Sequence, residues 1–173
     1  MDTPPTLRPA LRFPDPPPDA DEKTQLGAVL DWYRDNLVRK VEGLDRDAAT
    51  RRLVPSMTTL LGIVKHLAYV ERGWFQIAFL GKHLYRPSTD GGDDAEFRID
   101  DAETVSGILG LYQQEVSRSR EIVAAANLDD HAQREKRRDY TLRWIMVHMI
   151  EETARHVGHA DILREQTDGA RGE

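Results

Sequence analysis

The chain has 173 residues and a net charge of −6, enough length for one domain with a real core and the wrong sign for a general nucleic-acid binder. It has no cysteine, which excludes disulfides, a thiolate nucleophile and cysteine-held zinc; any thiol chemistry must bring its sulfur on a substrate. No apolar run reaches the length of a membrane span and the N-terminus lacks an apolar signal core, so neither membrane insertion nor export is expected and the expected location is the cytoplasm.

Seven of the nine prolines fall within the first 18 residues, so residues 1–20 are expected to be an extended leader. A first helix is expected from Asp21–Lys23 to about Glu42, because Leu26, Val29, Leu30, Tyr33, Leu37 and Val41 recur at helical spacing and Gly43 then stops it. One short turn is expected within Asp45–Arg52. A second helix should run from about Thr58 to Leu80, capped by Ser56 or Thr58 and ended by Gly81. Its apolar face carries Leu60, Ile63, Val64, Leu67, Trp74, Ile77 and Ala78, with His66 on that side and Lys65, Glu71 and Arg72 free to face water. Lys82–Asp100 reads as a long polar loop, and the acids around Gly91–Asp94 lack the ligand spacing of a calcium loop.

A third helix is expected over Ala102–Ala126, capped by Asp100 or Asp101. A second polar connection, Asn127–Tyr140, holds the basic cluster Arg134, Lys136, Arg137 and Arg138. Such clusters are usually solvated surface and sometimes hold an anion. Thr141 caps a fourth helix that runs to about Glu165, and residues 167–173 are expected to fray. Four amphipathic helices over 21–166, with no strand between them, point to an all-α four-helix bundle.

The chemistry concentrates on the fourth helix, which carries three of the six histidines. At about 100° per residue, Leu142, Ile145, Met146, Met149, Thr153, His156, Ala160 and Leu163 share one face. Glu152 lies one turn before His156 at the flank of that face, whereas Glu151 points to solvent. The two-iron Glu-x-x-His pattern is absent, because Thr153 stands three residues before His156; His-Glu-x-x-His is absent too, because Met149 follows His148. What remains is His66 on the second helix and a Glu152/His156 pair on the fourth. Two nitrogens and one oxygen suit zinc, and also nickel, manganese or iron, and three protein ligands leave a position open. An ordinary side-chain pair on a helix has the same spacing.

The runs LLGIVKHLAYVERGWF (Leu60–Phe75) and LRWIMVHMIEETARHVGHADILRE (Leu142–Glu165) closely resemble the DinB-like superfamily. They are most similar to its actinobacterial branch related to the mycothiol-dependent maleylpyruvate isomerases. The resemblance extends from about Asp21 through nearly the whole chain. It implies a four-helix bundle in up-down-down-up order, a homodimer, and a metal held by His66, Glu152 and His156. Glutamate rather than histidine at the middle position is the isomerase pattern and favours the thiol-transferase side.

His159 follows His156 by three residues and is expected either to replace a ligand or to act as the proton carrier beside the metal. His148, two turns before His156, is expected to touch substrate, to support the ligands or simply to face solvent. Arg155 is expected at the surface, and His83 and His131 in loops. The leading expectation is a divalent-metal enzyme that activates a small thiol, such as mycothiol or bacillithiol, for transfer to or isomerisation of a small-molecule substrate. The alternatives are a metal-dependent hydrolase and a non-catalytic, stress-related metal- or ligand-binding dimer.

Overall fold

A computed structural model of the protein describes residues 15–87 and 95–171. The first part of the proline-rich leader and the Gly91–Asp94 run lie outside the described residues. Among the described residues the chain is all-helical, with five α-helices where four were expected, the extra one being the short turn. No helix among them is long and apolar enough to cross a membrane.

Helix α1 spans Glu22–Arg39. Asp21 caps it by accepting from the Thr24 N–H, and Glu22 in the first turn complements the helix dipole. The chain leaves the helix three residues before the expected end and turns at Gly43, whose φ of 78° only glycine adopts cheaply. The short turn is α2, Arg46–Ala49, capped by Asp45.

Helix α3 covers Leu60–Glu71, and its cap is Thr59 rather than Ser56 or Thr58. The Thr59 hydroxyl accepts from the Gly62 N–H, whereas Ser56 and Thr58 spend their hydroxyls on each other. The helix then widens into a π-helical stretch, Arg72–Phe79. A single 3.6-residue period does not survive this widening. Phe75, Gln76, Ala78 and Phe79 turn inward, and Trp74 and Ile77, expected in the core stripe, are only half-buried.

Helix α4 spans Val105–Ala125 and starts three residues later than expected, because Thr104 and not Asp100 or Asp101 supplies the capping oxygen. Helix α5 runs over Leu142–Asp168, capped by Thr141 as expected. It continues past Gln166 to a left-handed Gly169, and Ala170 beyond it is buried, so residues 167–170 are held where fraying was expected.

Helix α1 packs on α5, and α3 packs on both α4 and α5. Leu37, Leu61, Ile63, Leu142, Ile145 and Met149 sit fully buried between them. Two side chains expected to face water are buried instead. Glu71 is 1% exposed and receives Nε and Nη2 of the buried Arg34 at 2.8 and 2.7 Å. Lys65 donates to the Arg98 carbonyl and to Glu103, each at 2.7 Å. Each charge is buried against a partner, which is the condition under which burial is tolerated.

Candidate metal centre

The face of α5 that points into the protein carries Thr153 at its middle, with Glu152 and His156 flanking it. Thr153 is buried and returns its hydroxyl to the Met149 carbonyl at 2.7 Å, so it offers nothing to the cavity side. Helix α3 brings His66 across from it. His66, Glu152 and His156 each offer one ligand atom, and these atoms all lie within 4.8 Å of one another. The side chains are 13%, 15% and 12% exposed, so the cluster is sheltered yet open on one side.

One carboxylate oxygen, Glu152 Oε1, lies 3.3 Å from His66 Nε2 and 3.4 Å from His156 Nε2. Both distances exceed the about 2.7–2.9 Å of a charge-assisted hydrogen bond. They match the edge of a ligand tetrahedron, about 3.3–3.4 Å when each ligand sits about 2.0–2.1 Å from zinc. The two imidazoles beside it hold the Glu152 carboxyl far below its ordinary range, His156 most strongly and then His66. An ionised oxygen and two converging nitrogens form a fitting donor set for a divalent ion.

Glu96 is the residue that sequence reasoning missed. Its carboxylate is 3% exposed and accepts from His66 Nδ1 at 3.0 Å. Burial would raise its pKa, but the hydrogen bonds from His66 and Arg86 outweigh this and hold it at about 2. Both carboxylates only accept, and Glu96 is the nearer, at 3.0 Å against 3.3 Å for Glu152, so in a neutral His66 the shorter bond favours the proton on Nδ1 and leaves the Nε2 lone pair toward Glu152 and His156. Burial alone would lower the pKa of His66, yet the bonds to Glu152 and Glu96 raise it. Phe97 stacks on the His66 ring with centroids 4.3 Å apart, which fixes the ring plane.

Two glycines admit this support. A Cβ on Gly62, one turn before His66, would lie 2.6 Å from the Phe97 carbonyl oxygen. A Cβ on Gly73 would lie 2.5 Å from Arg86 Nη1, and Arg86 holds Glu96. The loop that reads as polar spacer is thus clamped onto α3 through Glu96 and Phe97. The hint in the sequence is Phe97, an aromatic between the charged Glu96 and Arg98.

The remaining expected residues are spread around this centre. The His159 ring is 5.5 Å from that of His156 and exposed to solvent. His156 Nδ1 is buried with no hydrogen-bond partner. His148 does not join the triad: it stacks on Trp144, with its ring edge-on to Trp74 at 4.7 Å, and burial lowers its pKa. Arg155 is exposed and pairs with Glu151, with Glu152 3.5 Å away. His83 and His131 are exposed in connections, the latter bonded to the Arg138 carbonyl.

No curated protein matches the chain. A protein-family model described as Mycothiol-S-transferase matches residues 25–169, a span that includes the whole triad and Glu96. The chain belongs to this mycothiol-S-transferase family, a DinB-like family related to mycothiol-dependent enzymes.

Proposed function

We propose that the protein is a divalent-metal-dependent thiol S-transferase, with His66, Glu152 and His156 as the ligands and zinc as the leading metal. The single observation that carries this reading is that His66, Glu152 and His156 each offer one ligand atom, all within 4.8 Å of one another, in a chain of the mycothiol-S-transferase family. A divalent ion bound there supplies Lewis acidity that lowers the pKa of an arriving thiol. The protein's own part is to fix the donors. Glu96 holds His66 in one tautomer, Phe97 fixes its plane, and Thr153 turns its hydroxyl away from the ligands. His159, exposed at the edge of the site, takes the proton released by the thiol and passes it to solvent as the displaced group leaves. The DinB-like up-down-down-up bundle belongs to the same reading and is supported by the four long helices and the packing of α3 on α4 and α5; the homodimer is part of the same proposal.

The test has two parts. Metal content per chain should be close to one in the wild type and lost in His66→Ala, Glu152→Ala and His156→Ala. Turnover of an electrophile such as monobromobimane or 1-chloro-2,4-dinitrobenzene should then require added mycothiol, and His159→Ala should lower the rate while keeping the metal. Turnover that continues without any thiol makes the protein a hydrolase. Absence of metal after incubation with zinc or nickel refutes the reading.

A further inference from the structure

The metal centre makes no use of the basic cluster in the connection before α5. This connection is docked rather than free. The Gln133 and Arg134 N–H groups donate to the Phe79 and Ala78 carbonyls at 2.9 and 3.1 Å, satisfying acceptors at the end of the π-helical stretch. The short 3₁₀ turn Glu135–Arg137 that follows hangs its basic side chains over a cleft of about 670 Å³. That size is within the range of small-molecule sites.

The walls of the cleft divide by chemistry. Trp74, Ile77 and Leu84 supply apolar surface, and Gly73 leaves room between them. Arg134, Lys136, Arg137 and Arg86 supply four positive charges, and among the described residues no acidic side chain lines the cleft. Arg86 is engaged by Glu96, and Arg137 lies over the rings of Trp74 and Tyr140 at 4.9 and 5.2 Å. The side chains of Arg134 and Lys136 have no ion-pair partner among the described residues. Arg134 and Lys136 are exposed at the rim of one cleft, so an anion entering it meets two cations at once.

The cleft adjoins the metal centre through two of its residues. Arg86 holds Glu96, which holds His66. Trp74 packs against His148, one turn before Glu152.

We infer that this cleft binds a small organic carboxylate with a flat apolar body, the carboxylate between Arg134 and Lys136 and the body against Trp74 and Leu84. An arginine fork matches a carboxylate in two parallel hydrogen bonds, and the aromatic floor selects for the apolar body. The role of this ligand as acceptor of the thiol rests on the S-transferase reading; its binding does not.

The experiment is a titration of the full chain followed by tryptophan indole resonances, with the Trp74 signal identified from Trp74→Phe. The probes are benzoate, its neutral counterpart benzamide, and inorganic phosphate. Benzoate is expected to shift the Trp74 resonance saturably, with benzamide and phosphate each at least about tenfold weaker, because each lacks one of the two recognised features. The double variant Arg134→Gln/Lys136→Gln should weaken benzoate about tenfold while metal content and melting temperature stay at wild-type values. Benzoate binding should persist in His156→Ala, which separates this site from the metal reading. Equal shifts from benzoate and benzamide, phosphate as good as benzoate, or wild-type binding in the double variant would each overturn the assignment.

Discussion

Removing Glu96 tests whether a carboxylate in a loop sets the quality of the metal site. Glu96→Ala takes the acceptor from His66 Nδ1 and leaves the ring, still stacked on Phe97, free to flip within its plane or change tautomer. Loss of such an outer carboxylate typically costs about 10–100-fold in metal affinity. At a zinc concentration 100 times the wild-type Kd, the wild type gains about 2.7 kcal/mol from the metal, and a variant weakened 100-fold gains about 0.4 kcal/mol. At about 2–4 °C per kcal/mol for a chain of this size, the wild-type melting temperature should rise by about 5–11 °C and that of the variant by about 1–2 °C. Glu96→Gln keeps an oxygen for the Nδ1 proton but loses the charge, so it should fall between them. Comparing each variant with and without zinc cancels the effect of the substitution on the metal-free fold, and a competition titration against a chromogenic chelator gives Kd directly. If Glu96→Ala holds zinc within about twofold of wild type, the tautomer-fixing role assigned to Glu96 is wrong.

Gly62→Ala should cost about 1–3 kcal/mol in urea unfolding, because the new methyl meets the Phe97 carbonyl, and zinc affinity should fall with it as Glu96 is pushed off His66. Glu71→Ala takes the bidentate partner from the buried Arg34 guanidinium and leaves it Asp31 alone, which should cost about 1–3 kcal/mol, read as a lower urea midpoint; a loss under about 0.5 kcal/mol would mean that Asp31 and water replace Glu71 fully. The metal-free protein should be most stable, as far as this site is concerned, between pH 4.5 and 6.5. His66 has a raised pKa, so its contribution is complete below its ordinary 6.5 and lost as pH rises through the folded value. Glu96 and Glu152 have lowered values, so theirs is present above 4.5 and lost as pH falls. Zinc competes with the imidazole protons, so the zinc-induced rise in melting temperature should grow from pH 5.5 to 7.5; a flat profile would show that histidine is not a ligand.

The apolar periodicity of Leu26–Val41, Val105–Val123 and Leu142–Leu163 was enough to find three of the long helices. Helix starts are less legible where several hydroxyls and carboxylates compete for one cap: only the folded backbone selects Thr59 over Ser56 and Thr58 for α3, and Thr104 over Asp100 and Asp101 for α4. The π-helical stretch was illegible: it is a local change of winding that Arg72–Phe79 shares with packing around it, and no residue in the run announces it. His66, Glu152 and His156 were visible because an i, i+4 pair and an inward histidine are properties of single helices. Glu71 and Lys65 were misread for the opposite reason, since whether a charge on a helix flank meets water or a partner is settled by a neighbouring element.

By itself, then, the sequence determined what each helix could present: an apolar face, two histidines and a glutamate directed inward, and a supply of basic residues before α5. These follow from the fixed geometry of a helix and need no knowledge of its neighbours. Only the tertiary structure decided what meets across space. It brought Glu96 and Phe97 onto His66 through the gap left by Gly62, closed Arg34 on Glu71, and gathered Arg134 and Lys136 around one cleft with Trp74. Those contacts join residues far apart in the chain, so their energies depend on how the elements pack and leave no periodic trace in the order of the amino acids.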